Sequence, residues 1–167
     1  MHVRKTIVIS SLAASAFLFQ YCSKSGDTTV TPTPVDPYAA IKATFGTNID
    51  PNNLANYGNQ GKPAYITRDN AGGVVISNAK ATLGRVLFYD KNLSIDNSIA
   101  CASCHKQQFA FSDTAVASKG VQGGTTARHS MRLINTRFAT EPRFFWDERA
   151  ATLEIQTTMP IQDHAEM

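Results

Sequence analysis

Two thiols and an imidazole fall within five residues, in Cys101-Ala102-Ser103-Cys104-His105, and the rest of the chain has to fold around them. Cysteines three positions apart lie on one side of a helical turn, where both sulfurs can form thioether bonds to the two vinyl groups of one haem. The histidine that follows at once can present its imidazole to the iron from the proximal side. Two other uses of the pattern compete. A redox-active CxxC pair calls for a thioredoxin-like βαβ context, which the flanking sequence lacks. A zinc site needs four ligands; His129 or His164 can join Cys101 and Cys104, but no second paired set completes it. One covalent haem c with His105 on the iron is the reading these residues favour.

The remaining cysteine belongs to a different signal. Arg4 and Lys5 precede an uncharged, mostly apolar stretch of 14 residues that ends at Phe19, followed by Cys22 and the polar run Ser23-Lys24-Ser25-Gly26-Asp27. A bilayer core of about 30 Å needs about 20 residues of helix, so this stretch reads as an export signal rather than a span. Residues 1–22 look like a bacterial lipoprotein signal with Cys22 as the acylated residue, although Gln20-Tyr21 stand where small residues are usual. An ordinary export signal, with Cys22 incidental, is the alternative. Residues 23–37 are rich in Thr, Pro and Asp and read as a flexible tether. The expected location is the cell envelope, on the periplasmic side, with a lipid anchor as the sole link to the membrane. Export also suits haem c, whose attachment takes place outside the cytoplasm.

Residues 38–167 remain for one domain, within the usual size range. Sixteen basic against thirteen acidic side chains leave a scattered +3, which gives no surface for nucleic acid. The pattern predicts helices over residues 38–45, 79–89, 130–138 and 150–159, the last stopped by Pro160, and one helical turn within 52–57. Residues 118–126 hold three glycines and read as a mobile or tightly turned loop. Only Gly73-Val74-Val75-Ile76 looks β-like. The expected fold is therefore all-α and loop-rich, a cytochrome c-like haem domain with little or no sheet. So much irregular backbone needs something central to pack around, and a haem supplies it. Leu83, Leu87, Phe88, Phe109, Phe111, Leu133 and the run Phe144-Phe145-Trp146 are the candidate apolar contacts, with ordinary core packing as the other reading for each.

The flanks of the motif carry a resemblance. Leu83-Gly84-Arg85-Val86-Leu87-Phe88-Tyr89-Asp90, Leu93-Ser94 and Phe111-Ser112-Asp113 surround the CxxCH. The pattern continues in Ser118-x-Gly120, Arg128, Asn135, Phe145-Trp146-Asp147-x-Arg149-Ala150, Leu153, Gln156, Pro160-Ile161 and Glu166-Met167. From Leu83 onward the chain resembles the N-terminal haem domain of the bacterial di-haem cytochrome c peroxidases, shared with the maturation enzymes of methylamine utilisation. The resemblance implies a peroxidatic haem that reduces hydrogen peroxide to water, with electrons from a small cytochrome c or cupredoxin. It makes His105 the proximal ligand, and Gln156 and Glu166 the distal-pocket amide and carboxylate. It places Trp146 on an electron path between two haems. Arg128 and Arg149 are candidates for the haem propionates, since guanidinium forks match carboxylates; Arg149 can equally brace the Trp146-Asp147 turn. Read without the resemblance, Gln156 is an exposed helix residue and Glu166 a solvated side chain.

Three departures qualify the likeness. Val121 stands where the family carries a histidine that caps the resting haem, which predicts an open sixth position. The family's Arg-Asn, tied to an inter-domain calcium, is Arg128-His129 here, which argues against calcium. No second CxxCH occurs, so the resemblance implies the first half of a two-haem enzyme. The competing readings are a mono-haem electron-transfer cytochrome, with a sixth ligand from Met131, Met159, Met167, His129 or His164, and a haem-binding fragment without turnover.

Overall fold

A computed structural model describes residues 33–167. Residues 36–167 form one compact unit. The leader, Cys22 and most of the tether lie outside the described residues. Among those described, no helix is long and apolar enough to cross a membrane.

Four α-helices carry the unit: α1 (Ala39–Phe45), α2 (Asn78–Tyr89), α3 (Cys101–Cys104) and α4 (Leu153–Gln162). Short 3₁₀ turns and long loops connect them, and three isolated bridges replace any strand among the described residues. The all-α, loop-rich expectation describes this architecture. α2 starts where Ser77, in extended conformation, accepts a hydrogen bond from the Lys80 amide. It stops at Asp90, whose carboxylate caps the next turn through the Asn92 amide at 2.9 Å. Phe88 near its end meets Phe111 edge-to-face at 6.0 Å, which pins α2 beside the loop that follows the CxxCH turn.

Asn78 ties the irregular segment before α2 to the helix, because its Oδ1 accepts from both the Tyr57 and Gly58 amides at 2.8 Å. Asn78→Ala orphans both donors. It is expected to cost about 1–2 kcal/mol, read as a lower thermal midpoint of the haem-loaded protein.

Five local expectations need correction. Residues 130–138 are not a helix; only Thr136–Phe138 forms a 3₁₀ turn. Asn135 at φ +57° breaks the helical path, and the His129 and Ser130 carbonyls accept from the Trp146 indole and the Ser112 hydroxyl. The final helix starts at Leu153 rather than residue 150, because Thr152 caps it through the Ile155 amide while Ala150 is buried in a bridge to Phe144. Pro160 does not stop it. A proline in the last turn forfeits one helical hydrogen bond, and α4 runs on to Gln162. No helical turn forms within 52–57, and Val74 and Val75 lie exposed outside any strand.

Among the described residues the fully packed apolar core is small: Ile49, Ala100, Val121, Ala150 and Met167. Residues between Phe88 and Met167 instead line a partly open cavity of about 950 Å³.

Candidate haem site

α3 is a single turn, and it does what the spacing asks of it. Cys101, Cys104 and His105 all line the cavity, and the His105 amide closes the turn on the Cys101 carbonyl at 2.9 Å. Burial pushes both thiols up from their ordinary range, the opposite of the lowered thiol that a redox-active pair requires. The two cysteines are unpaired.

The imidazole is aimed by the loop behind it. Ala110 and Phe111 both take left-handed backbone conformations, at φ +59° and +56°. This double reversal brings the Phe111 carbonyl to 3.0 Å from His105 Nδ1. A carbonyl only accepts, so Nδ1 carries the hydrogen and Nε2 keeps its lone pair for a metal. The loop is shut by Lys106, whose ammonium lies 2.7 Å from the nearly buried Asp113 and holds that carboxyl down to about 2. Sequence inspection missed this bracing, because no local signal marks a non-glycine residue for positive φ.

His129 has no free nitrogen. Its Nδ1 donates to the Ala115 carbonyl at 2.7 Å and its Nε2 lies within hydrogen-bond distance of the Ser112 Oγ, at 3.1 Å. It is therefore neither a zinc ligand nor a sixth ligand in this arrangement. His164 is exposed and lies off the cavity. Among the described residues, no three His, Cys, Asp or Glu side chains converge as a metal cluster, so the zinc alternative has no ligand set. Of the methionine candidates, Met131 and Met167 line the cavity and Met159 does not.

The other site residues also meet there. Gln156 from α4 and Glu166 from the turn after it line the cavity, as do Trp146, Arg128 and Arg149. Neither the Gln156 amide nor the Glu166 carboxylate has a hydrogen-bond partner among the described residues, so both polar ends are available to a ligand. Glu166 is half-buried, and desolvation raises its pKa from the usual value; Asp163 adds to the rise and Arg149 opposes it. Trp146 is 59% exposed, and its indole N–H donates to the His129 carbonyl at 2.8 Å.

Arg128 and Arg149 both pair with Asp147, at 3.2 and 2.9 Å, and Arg149 lies over the Phe145 ring. The bracing reading of Arg149 thus has a structural counterpart. Arg132 and Arg143 also line the cavity, and among the described residues neither pairs with a carboxylate. The apolar expectations divide. Phe88, Leu133, Phe144, Phe145 and Trp146 line the cavity, whereas Leu83 and Leu87 are 57% and 39% exposed and lie outside it. Phe109 and Phe111 lie outside it too, Phe111 acting through its carbonyl.

This arrangement has counterparts. The sequence profile described as di-haem cytochrome c peroxidase matches residues 78–167, over half of the chain and all of the cavity-lining residues. The chain belongs to the di-haem cytochrome c peroxidase family. Similar members include the methylamine utilization protein MauG of Methylophilus methylotrophus, 36% identical over 88 residues, which are 53% of this chain and 26% of that protein. The cytochrome c peroxidase Ccp of Escherichia coli is 38% identical over 53% of this chain and 18% of its own length. The cytochrome c551 peroxidase of Pseudomonas aeruginosa is 34% identical over 57% and 27%. Among solved structures, a MauG-like protein associated with microbial copper homeostasis superposes with a TM-score of 0.58 at 32% identity, covering 64% of this chain and 31% of the other. The chain thus spans about a quarter of the length of these di-haem cytochrome c peroxidase relatives.

Membership in the family implies haem c, and the residues present fit it. Two thiols and an oriented imidazole share one wall of a cavity large enough for a macrocycle, aromatic side chains offer it apolar surface, and guanidinium groups offer its carboxylates a partner.

Proposed function

We propose that this chain is a cytochrome c-type peroxidatic haem domain that reduces hydrogen peroxide to water with electrons from a small redox protein. Its place is the periplasmic side of the cell envelope, anchored through acylated Cys22. The observation that carries the reading is the convergence of Cys101, Cys104, His105, Gln156 and Glu166 on one cavity.

Cys101 and Cys104 would hold the haem through thioether bonds, and His105 Nε2 would ligate its iron. The guanidinium groups of Arg128, Arg132, Arg143 and Arg149, which line the cavity, would be available to its propionates. Haem bound there supplies the redox chemistry that peroxide reduction needs. The chain's own residues supply the proton handling. Glu166 would take the proton from one peroxide oxygen and return it to the other, the proton shift that must accompany two-electron reduction of peroxide to two waters, and the Gln156 amide would orient the peroxide by hydrogen bonding. Trp146, at the exposed rim of the cavity, offers an aromatic route for electrons. Val121 is buried and does not line the cavity, and its side chain carries no atom that could ligate iron. The Arg128-His129 pair, with His129 committed to Ala115 and Ser112, leaves no asparagine for a calcium site.

Met131 and Met167 also reach the cavity, and their thioethers give a mono-haem electron-transfer cytochrome its structural basis. The two readings separate on the haem spectrum. The peroxidase requires a high-spin ferric haem whose absorption changes within seconds of adding stoichiometric peroxide. A low-spin haem with a thioether ligand, inert to peroxide, overturns it.

A further inference from the structure

One wall of the cavity has little of its own to hold it in place. Residues 131–141 contribute Met131, Leu133, Ile134, Thr136 and Ala139 to the lining, yet no residue of the segment is buried. Its only regular structure is the 3₁₀ turn Thr136–Phe138. A segment with neither buried side chains nor a backbone ladder yields easily to whatever pushes on it.

The fastening comes from far away in the chain. Asp69 grips the Arg137 guanidinium with both carboxylate oxygens: Nε donates to Oδ1 at 2.8 Å and Nη2 to Oδ2 at 2.6 Å. The Asn70 backbone amide donates to the Arg137 carbonyl at 2.8 Å, and Asn70 Nδ2 donates to the Ala139 carbonyl at 2.7 Å. Among the described residues, no other hydrogen bond or ion pair joins 131–141 to the rest of the unit. The gripping residues are themselves preset. Asp69 Oδ1 also accepts from the Ala71 amide at 3.0 Å, and Asn70 Oδ1 accepts from Arg68 Nε at 2.9 Å. Both lie ahead of residues 78–167, the part of the chain that the family profile matches.

We propose that Asp69 and Asn70 form a strap that sets the size of ligand the cavity admits, favouring small ligands over bulky ones. This rests on the reading of the cavity as a haem site. An exposed ion pair alone would hold little. Here four bonds converge within residues 137–139, so the wall cannot give way without breaking a bidentate charged pair and two bonds to backbone carbonyls.

Asp69→Ala combined with Asn70→Pro removes all four bonds, since proline lacks both the amide hydrogen and the side-chain donor. In the haem-loaded protein, deuterium exchange of the 131–141 amides, followed by mass spectrometry, is expected to speed up by about tenfold or more, with α2 unchanged. Stopped-flow mixing with the ferric haem reads the consequence: imidazole binds about tenfold faster, whereas cyanide stays within about twofold. A purely structural brace would not separate the two probes. Exchange over 131–141 at the parent level overturns the strap, and equal changes for imidazole and cyanide overturn its selection by size. If the double variant does not fold, Asp69→Ala and Asn70→Pro are read separately, and parent-level exchange in both overturns the proposal. A parent chain that carries no haem refutes the haem reading instead, and exchange over 131–141 still judges the strap.

Discussion

Replacing Cys101 and Cys104 together by alanine leaves a polypeptide that retains no haem through denaturing electrophoresis, whereas the parent band keeps its haem stain. The effect is all-or-none because Cys101 and Cys104 are the proposed points of covalent attachment. α3 is one turn long, and its two sulfurs are the only cysteines lining the cavity. The fold suffers with the cofactor. Among the described residues few apolar side chains are fully packed, and many apolar side chains line a partly open cavity of about 950 Å³. Without haem the lining has nothing to pack against, and ligand-linked stability disappears. The double variant is therefore expected to be degraded by a protease within minutes under conditions in which the holo-protein persists. His105→Ala makes the complementary test: haem stays attached, but its absorption spectrum changes. A double variant that still stains for haem refutes the attachment.

Glu166→Gln removes a titrating carboxyl and keeps its volume. Peroxide cleavage is expected to slow by about 10²- to 10⁴-fold, the usual contribution of a positioned acid–base group. The ferric haem spectrum should barely move, because Glu166 is assigned to the distal pocket and His105 to the iron. The parent's pH profile carries the same information. Desolvation, and then Asp163, raise the pKa of Glu166 above the ordinary glutamate value. The base is active only when deprotonated, so the rate falls as pH drops through that raised pKa. The acid limb accordingly lies at higher pH than for an exposed glutamate, and it disappears in Glu166→Gln. Stopped-flow kinetics across the acid range measures both, and equal turnover in the variant ends the assignment.

The local elements that sequence could reach were those with short-range causes. The helix over residues 79–89 is legible from its periodicity and from Ser77 or Asn78 as caps, and α2 occupies Asn78–Tyr89. The predicted helix over 130–138 failed for a long-range reason. Ser130 through Leu133 line the cavity in irregular conformation, and the Ser130 carbonyl serves the Ser112 hydroxyl. An apolar spacing that reads as helical from sequence is satisfied equally by a wall facing a central cavity. The same ambiguity made Leu83 and Leu87 candidates together with Phe88, and of these three Phe88 alone lines the cavity.

For the site, the sequence by itself determined the donor set. Two thiols and an imidazole at fixed spacing can be read without a fold, because a single helical turn brings them together. Their surroundings come from residues far apart along the chain, and only the tertiary structure decided those. It aimed His105 through the Phe111 carbonyl, committed both nitrogens of His129 to Ala115 and Ser112, and buried Val121 away from the cavity. It also seated the Glu166 turn on Gly120, some 46 positions earlier in the chain. Hydrogen bonds and close backbone approaches of that range depend on how loops return on themselves, and no local pattern of residue types encodes that return.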